Sequence, residues 1–492
     1  MDRRQEFWVA CAMLMVIFLP GCQPKEQEIE FDFAPVPRAT EFPDIVLISI
    51  DSLRYDHLGC YGYEKATSPT IDRIAREGIR FENALSTTSW TLPSHAAMFT
   101  GLYDATHGVT DHRHRLRNGF VTLAESLNNA GYRTAGFYGG PYLHPTFGLD
   151  QGFDTYASCM TTIPDNYSDD EVRESALSAM SRSHEDITGP RTREKVGQWL
   201  QSIDGEPFFL FLHMWDVHYD YIPPQPYVDM FDPDYDGDLD GREFLANKSI
   251  RPGMPARDFQ HLLALYDGEI RFTDDILGEI FSMLEESGRF ADALVVITAD
   301  HGEEFLEHDG KGHGYTLFDE VIRVPLIFRW PGHLPDGQVV QDQVRLIDLL
   351  PTILSLAGVD HEPVSQGRDL SPLLQGDTMI PEPTLAELTR FGGDMTALRS
   401  NQHKLISFGH LRFLHFDLEA DPLELMPLTQ NTRLFTYSRS SLLNLDESAQ
   451  RLGKYMVSDE SSEATLDADM CRRLRALGYI ESGADCETTS DD

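Results

Sequence analysis

Two stretches of this 492-residue chain end an apolar run in groups that can bind a metal ion. Residues 43–51 (PDIVLISID) close on Asp51, and residues 293–302 (ALVVITADHG) close on Asp300, His301 and Gly302. Aspartate oxygen and imidazole nitrogen together suit zinc or manganese as well as calcium. One such aspartate reads equally well as a turn or a helix cap. Two of them, the second followed by a histidine, point to a shared ligand. A third chemical group lies in residues 89–101 (SWTLPSHAAMFTG). Pro93 suits the first turn of a helix, where its missing N–H costs nothing. Thr91 then falls at or near the N-cap, either as a plain cap or as a hydroxyl nucleophile.

The elements around these groups favour the second reading. Both apolar runs have the composition of strands buried on both faces of a parallel sheet, and ligands of open α/β sheets gather beyond the carboxyl ends of such strands. A third run, Pro207 to His213, leads into Asp216, His218 and Tyr219–Pro224, so His218 also follows a buried strand. A helix N-terminus beside Thr91 favours an anionic group through its dipole, and metal coordination makes a hydroxyl nucleophilic near neutral pH.

At this length the chain holds one large α/β domain and a smaller one. Eighty acidic residues against forty basic ones give a formal charge of −40, which argues against nucleic acid as a partner. Met1-Asp2-Arg3-Arg4, the apolar run Phe7–Leu19 and Leu19-Pro20-Gly21-Cys22 read as a secretory signal, too short to span a membrane. Cys22 is then the lipidated residue of a bacterial lipoprotein exported to the envelope, with plain secretion or an uncleaved anchor as alternatives. Membrane contact is expected only through that lipid. Residues 23–40 read as a tether and 483–492 as an acidic tail. Cys471 and Cys486 can pair, although no spacing compels it.

The segments Asp44–Tyr63, Ser89–Gly101, Asp216–Pro224, Thr298–Pro325 and Phe416–Leu425, in that order along the chain, resemble the sulfatase family, part of the wider alkaline phosphatase superfamily of metal-dependent ester hydrolases. The resemblance implies a mixed, largely parallel sheet sandwiched by helices over residues 41–378, with the site at the strand carboxyl ends. It further implies a small C-terminal α+β subdomain over 379–482, whose expected strands are Thr384–Leu388, Met395–Arg399, His403–Ser407 and Leu411–Asp417. The implied substrate is a small anionic ester or a sulfated or phosphorylated glycan.

The sequence departs from the family where the chemistry sits. The family's Cys or Ser, followed by x-Pro-x-Arg, is oxidised to formylglycine. Thr91 occupies that position here and His95 stands where the Arg would be, so no formylglycine is expected. Ser52 replaces a second Asp, and the Lys that often follows a Gly-Tyr-Arg-Thr strand is absent after Gly131–Thr134. The mechanism this implies has Asp51, Thr91, Asp300 and His301 holding one divalent metal (zinc, manganese or calcium) while Thr91 attacks. His218 protonates the leaving oxygen, His95 and His313 bind anionic oxygens (His313 alternatively a second metal), and water then cleaves the threonyl ester. A phosphate or phosphonate ester is preferred over a sulfate ester. The alternatives are a true sulfatase acting through unmodified Thr91, and a glycan-binding surface lipoprotein without catalysis.

Asp232, Asp234, Asp236, Asp238, Asp240 and Glu243 match the spacing of an EF-hand calcium loop, without an obvious entering helix. A plain acidic loop is the preferred reading and the calcium loop the alternative. Glu303-Glu304 and Glu307-His308-Asp309 read as a solvated charge run outside the site.

Overall fold

The structure is a computed structural model. It describes residues 31, 42–161, 186–359, 363–390, 393–409, 411–430, 432–456, 462–467, 470, 471 and 474. The expected leader, the expected lipidation site at Cys22, most of the expected tether, Cys486 and the expected acidic tail lie outside these residues.

Eight strands form the main sheet: β1 (Ile45–Ile50), β2 (Ile79–Leu85), β3 (Arg133–Tyr138), β4 (Thr155–Ser158), β5 (Phe208–Met214), β6 (Leu294–Thr298), and, beyond the short pair β7 (Glu304–Phe305) and β8 (Lys311–Gly312), β9 (Arg323–Arg329) and β10 (Gln338–Arg345). Their order is β10-β2-β9-β6-β1-β5-β3-β4. Only β9 runs antiparallel to its neighbours, so the sheet is mixed and largely parallel, as expected. β1, β5 and β6 are fully buried and rich in Ile, Val, Leu and Phe, because helices cover both faces.

Register fixes what these strands deliver. Ser49 of β1 pairs with Thr298 of β6 on one side and with His213 of β5 on the other. Asp51 and Asp300, each two residues further on, therefore leave adjacent strands at the same level. The helix Thr91–Thr100, buried along its whole length, lies across this edge and ends at Gly101 (φ 67°). A side chain at Gly101 would meet Ser365 Oγ at 2.3 Å, so glycine serves both the left-handed turn and the close packing there.

The C-terminal sheet is antiparallel, β11 (Thr384–Arg390), β12 (Gly393–Arg399), β13 (His403–Phe408) and β14 (Arg412–Asp417), in that order. All four strands stand within two residues of their expected bounds. The helix Arg433–Met456 packs on one face, and Leu385, Leu398, Leu405, Leu442 and Ala449 share a core with Ala97 and Ile347. That core braces the back of the helix that carries Thr91. Cys471 is disulfide-bonded, whereas Cys60 and Cys159 are free thiols. Among the described residues no helix is long and apolar enough to cross a membrane.

Candidate active site

Asp51, Asp300 and His301 come together at the carboxyl ends of β1 and β6, and their candidate ligand atoms all lie within 4.8 Å of one another. His301 Nε2 is 3.7 Å from Asp51 Oδ1 and 3.4 Å from Asp300 Oδ2. His301 Nδ1 donates to the Gly302 carbonyl at 2.9 Å, so Nε2 is the nitrogen that faces the carboxylates. Metal-bound histidines are oriented in this way. The hydroxyl of Thr91 completes the group, with Oγ1 3.4 Å from both Asp51 Oδ2 and His301 Nε2. Thr91 is the first residue of its helix and Trp90 holds the N-cap position.

The electrostatics ask for a cation. Burial pushes the Asp300 carboxyl well above the usual range, and the Asp51 charge adds to that. Its Oδ2 is buried and makes no hydrogen bond. Burial works against the charge of Asp51 too, but a hydrogen bond from His213 and the neighbouring imidazoles hold its carboxyl well below normal. A half-satisfied carboxylate pair, an aligned imidazole and a hydroxyl fit a divalent metal ion.

Ser52 takes φ 56°, a strained turn that brings its backbone N–H to Asp300 Oδ1 (3.3 Å) and its hydroxyl to Asp51 Oδ1 (2.8 Å). Tyr266, from the helix Ala256–Glu286, fixes this turn by donating to the Ser52 carbonyl (2.7 Å) and accepting from Arg54 N (2.9 Å). His218 lies flat on Trp215 with centroids 3.9 Å apart, and Nδ1 donates to the Tyr219 carbonyl. The His313 ring is 4.2 Å from that of His301 and 4.9 Å from that of His218. Thr91, His218 and His313 are each 2% exposed, one step nearer solvent than the fully buried Asp51, Asp300 and His301.

Three expectations are corrected. His95 does not present a charge to anionic oxygens, because Nδ1 donates to the Thr91 carbonyl (2.8 Å) and Nε2 accepts from Ser49 Oγ (3.0 Å). Burial, then the charge of His213, pushes it down to about 3, so it is neutral scaffold beneath the nucleophile helix. The acidic loop is not an EF-hand. A single 3-10 turn, Tyr227–Asp229, precedes it, Asp232 is committed to Arg257 (2.7 Å) and His261 (2.9 Å), and Asp234, Asp236, Asp238 and Asp240 are exposed. Glu243 instead gives its backbone N–H to Asp220 Oδ2 at 2.7 Å. Finally, Glu303 and Glu304 are not solvated: they are 0% and 1% exposed.

Sequence reasoning missed His213, Ser49 and Glu303. His213 sits inside an apolar strand, where only the register with Ser49 shows that it meets Asp51. Glu303 does carry a sequence signal, two residues after His301 and ten before His313, hidden by the acidic residues that follow it.

Residues 43–359 match the sulfatase family profile, and residues 313–445 match that of the C-terminal region of N-sulphoglucosamine sulphohydrolase. The chain belongs to the sulfatase family, whose members are ester hydrolases. It is 25% identical over 491 residues to an ulvan-active sulfatase of Formosa agariphila, covering 95% of this chain and 87% of that one. Its fold is similar to that of a protein solved with its substrate, D-glucosamine-2-N,6-O-disulfate (TM-score 0.66, 20% identity, 84% of this chain and 99% of that one). It is also similar to that of a phosphonate monoester hydrolase of Agrobacterium radiobacter (TM-score 0.64, 22% identity, 84% and 96%).

Proposed function

We propose that the protein is a metal-dependent hydrolase that cleaves a phosphate or phosphonate ester with Thr91 as the nucleophile. The observation that carries this reading is the hydroxyl of Thr91, equidistant at 3.4 Å from Asp51 and His301 in the first turn of a buried helix. Asp51, Asp300, His301 and Thr91 would hold the ion. A divalent metal there supplies hydroxyl activation and charge neutralisation of the substrate's oxygens. Thr91 Oγ1 attacks the phosphorus in line and releases its proton to solvent while His218 protonates the departing oxygen; His218 then takes a proton from the water that cleaves the threonyl ester, and the threonine oxygen leaves with a proton from solvent, which restores the hydroxyl. The helix N-terminus at Thr91 favours the anionic ester as it binds.

A second reading, hydrolysis of a sulfate ester by unmodified Thr91, is supported by the family itself and by the ulvan-active relative. The substrate would then be a sulfated glycan. Turnover of nitrophenyl sulfate, phosphate monoester, phosphate diester and phosphonate ester by the chain from residue 23, with zinc, manganese or calcium, separates the two. Phosphodiester or phosphonate turnover that disappears in Thr91→Ala supports the first reading, and sulfate turnover alone supports the second. Silence on every ester with no retained metal would leave a glycan-binding protein. Export and lipidation at Cys22 belong to the same proposal, and palmitate labelling lost in Cys22→Ser would test them.

A further inference from the structure

Resting on that reading, we infer that Glu303 is a positioning residue for the reaction: with Ser52, it locks His313 in the tautomer and orientation in which Nε2 serves the reacting ester. Glu303 is fully buried, and Oε1 lies 3.1 Å from His313 Nδ1. Its other oxygen, Oε2, accepts the Tyr221 hydroxyl at 2.8 Å. The guanidinium of Arg54 anchors the backbone alongside through the Glu303 carbonyl at 3.1 Å. The carboxylate is thus held from both sides and has one oxygen directed at His313.

The tautomer follows from the hydrogen-bond network. Ser52 Oγ is 2.8 Å from Asp51 Oδ1, an acceptor only, so the serine hydroxyl donates there and has only a lone pair to offer His313 Nδ1 at 3.4 Å. Burial pushes the Glu303 carboxyl well above its usual range; in its ionised form Oε1 and Ser52 Oγ are both acceptors facing one ring nitrogen, and Nδ1 carries the proton. Nε2 is then the nitrogen that serves the reaction, on a ring packed against those of His301 and His218. A carboxylate behind an imidazole fixes orientation in this way in many active sites, and loss of such a partner lowers activity by roughly 10- to 100-fold. The chain Asp51–Ser52–His313–Glu303–Tyr221 also links the orientation of His313 to that of a proposed metal-binding carboxylate.

The test is a double-mutant cycle on the substrate turned over best, in the metal-loaded full-length protein, with melting temperature and metal content measured for every variant. Glu303→Ala is expected to lower kcat by about 10- to 100-fold with KM little changed. Glu303→Gln, which keeps an acceptor oxygen, should restore most of that loss. In a His313→Ala background neither substitution should lower kcat further by more than about twofold. Equal losses in both backgrounds, or a loss in Glu303→Ala that tracks metal content, would overturn the inference. If Glu303→Ala does not fold, Glu303→Asp, which withdraws the carboxylate from His313 by one methylene, takes its place: a kcat loss in the His313 protein that vanishes in His313→Ala supports the inference, and any other pattern overturns it. Thr91→Ala is run beside the cycle. Turnover that survives in it sinks the threonine reading, whereas Thr91-dependent turnover with an additive cycle sinks only the role of Glu303.

Discussion

Thr91 Oγ1 and His301 Nε2 lie 3.4 Å apart, although 210 positions separate them in the chain. The contact depends on β1 and β6 being parallel neighbours and on the helix Thr91–Thr100 crossing their carboxyl ends. Neither residue could reach the other from a surface loop with comparable precision. It places a hydroxyl on the edge of a carboxylate–imidazole set, as nucleophilic displacement at a metal site requires.

Removing the metal is expected to destabilise the protein as well as silence it. Without a cation the Asp300 carboxyl is buried and its Oδ2 makes no hydrogen bond. Asp300→Asn should therefore raise the stability of the metal-free protein by about 1–3 kcal/mol while abolishing metal-induced stabilisation. Thermal melts of both proteins with and without chelator check this. A metal-free Asp300→Asn that melts below the metal-free parent would show that Asp300 is satisfied by something other than a cation.

Restoring the family's arginine should fail. His95 is fully buried, bonded at both nitrogens, and packed against the rings of Phe99, Phe211 and His213. His95→Arg would bury a longer, charged side chain there and cost about 3–5 kcal/mol. Urea unfolding of Thr91→Cys, His95→Arg and the double variant should place the loss with His95→Arg alone.

Stability should peak near neutral pH and fall on both sides. Burial pushes His95 and His107 down to about 3. The unfolded chain takes up protons near 6.5 that these two refuse, so stability is lost as pH falls from about 6.5 toward 3. His308 moves the other way. Burial opposes its charge, but the Glu320 carboxylate prevails and raises it to about 9. Its contribution is present in full below about 6.5 and is lost as pH rises through 9. Denaturation midpoints across this range should show both slopes, and His308→Gln should remove only the alkaline one. An alkaline slope unchanged in that variant would assign it to another group.

Much of this was legible in the sequence, for physical reasons that differ by residue. Asp51 and Asp300 announced themselves because a doubly buried strand is an unbroken apolar run, and the first acidic residue after it marks the sheet edge. The four C-terminal strands were legible through the family resemblance, which implies a short antiparallel sheet over that segment. The antiparallel direction of β9 was not, because an apolar run carries no sign of its direction. His95 and Glu303 were misassigned because partners decide their roles. An imidazole bonded at both nitrogens and one open to substrate look identical in sequence, as do a solvated glutamate and a buried one. The acidic loop was legible from its approach: its spacing fits a calcium site, but the sequence before it shows no entering helix, and a single 3-10 turn stands there.

The central claim is that Thr91 becomes covalently attached to the substrate's phosphoryl or sulfuryl group during turnover. Acid quench of the metal-loaded protein during turnover of its best nitrophenyl ester, followed by peptide mass analysis, measures this directly. The added group is expected on the peptide that carries Thr91, and is expected to be absent in Thr91→Ala. Steady turnover with the peptide unmodified at every quench time, and activity retained in Thr91→Ala, would contradict it.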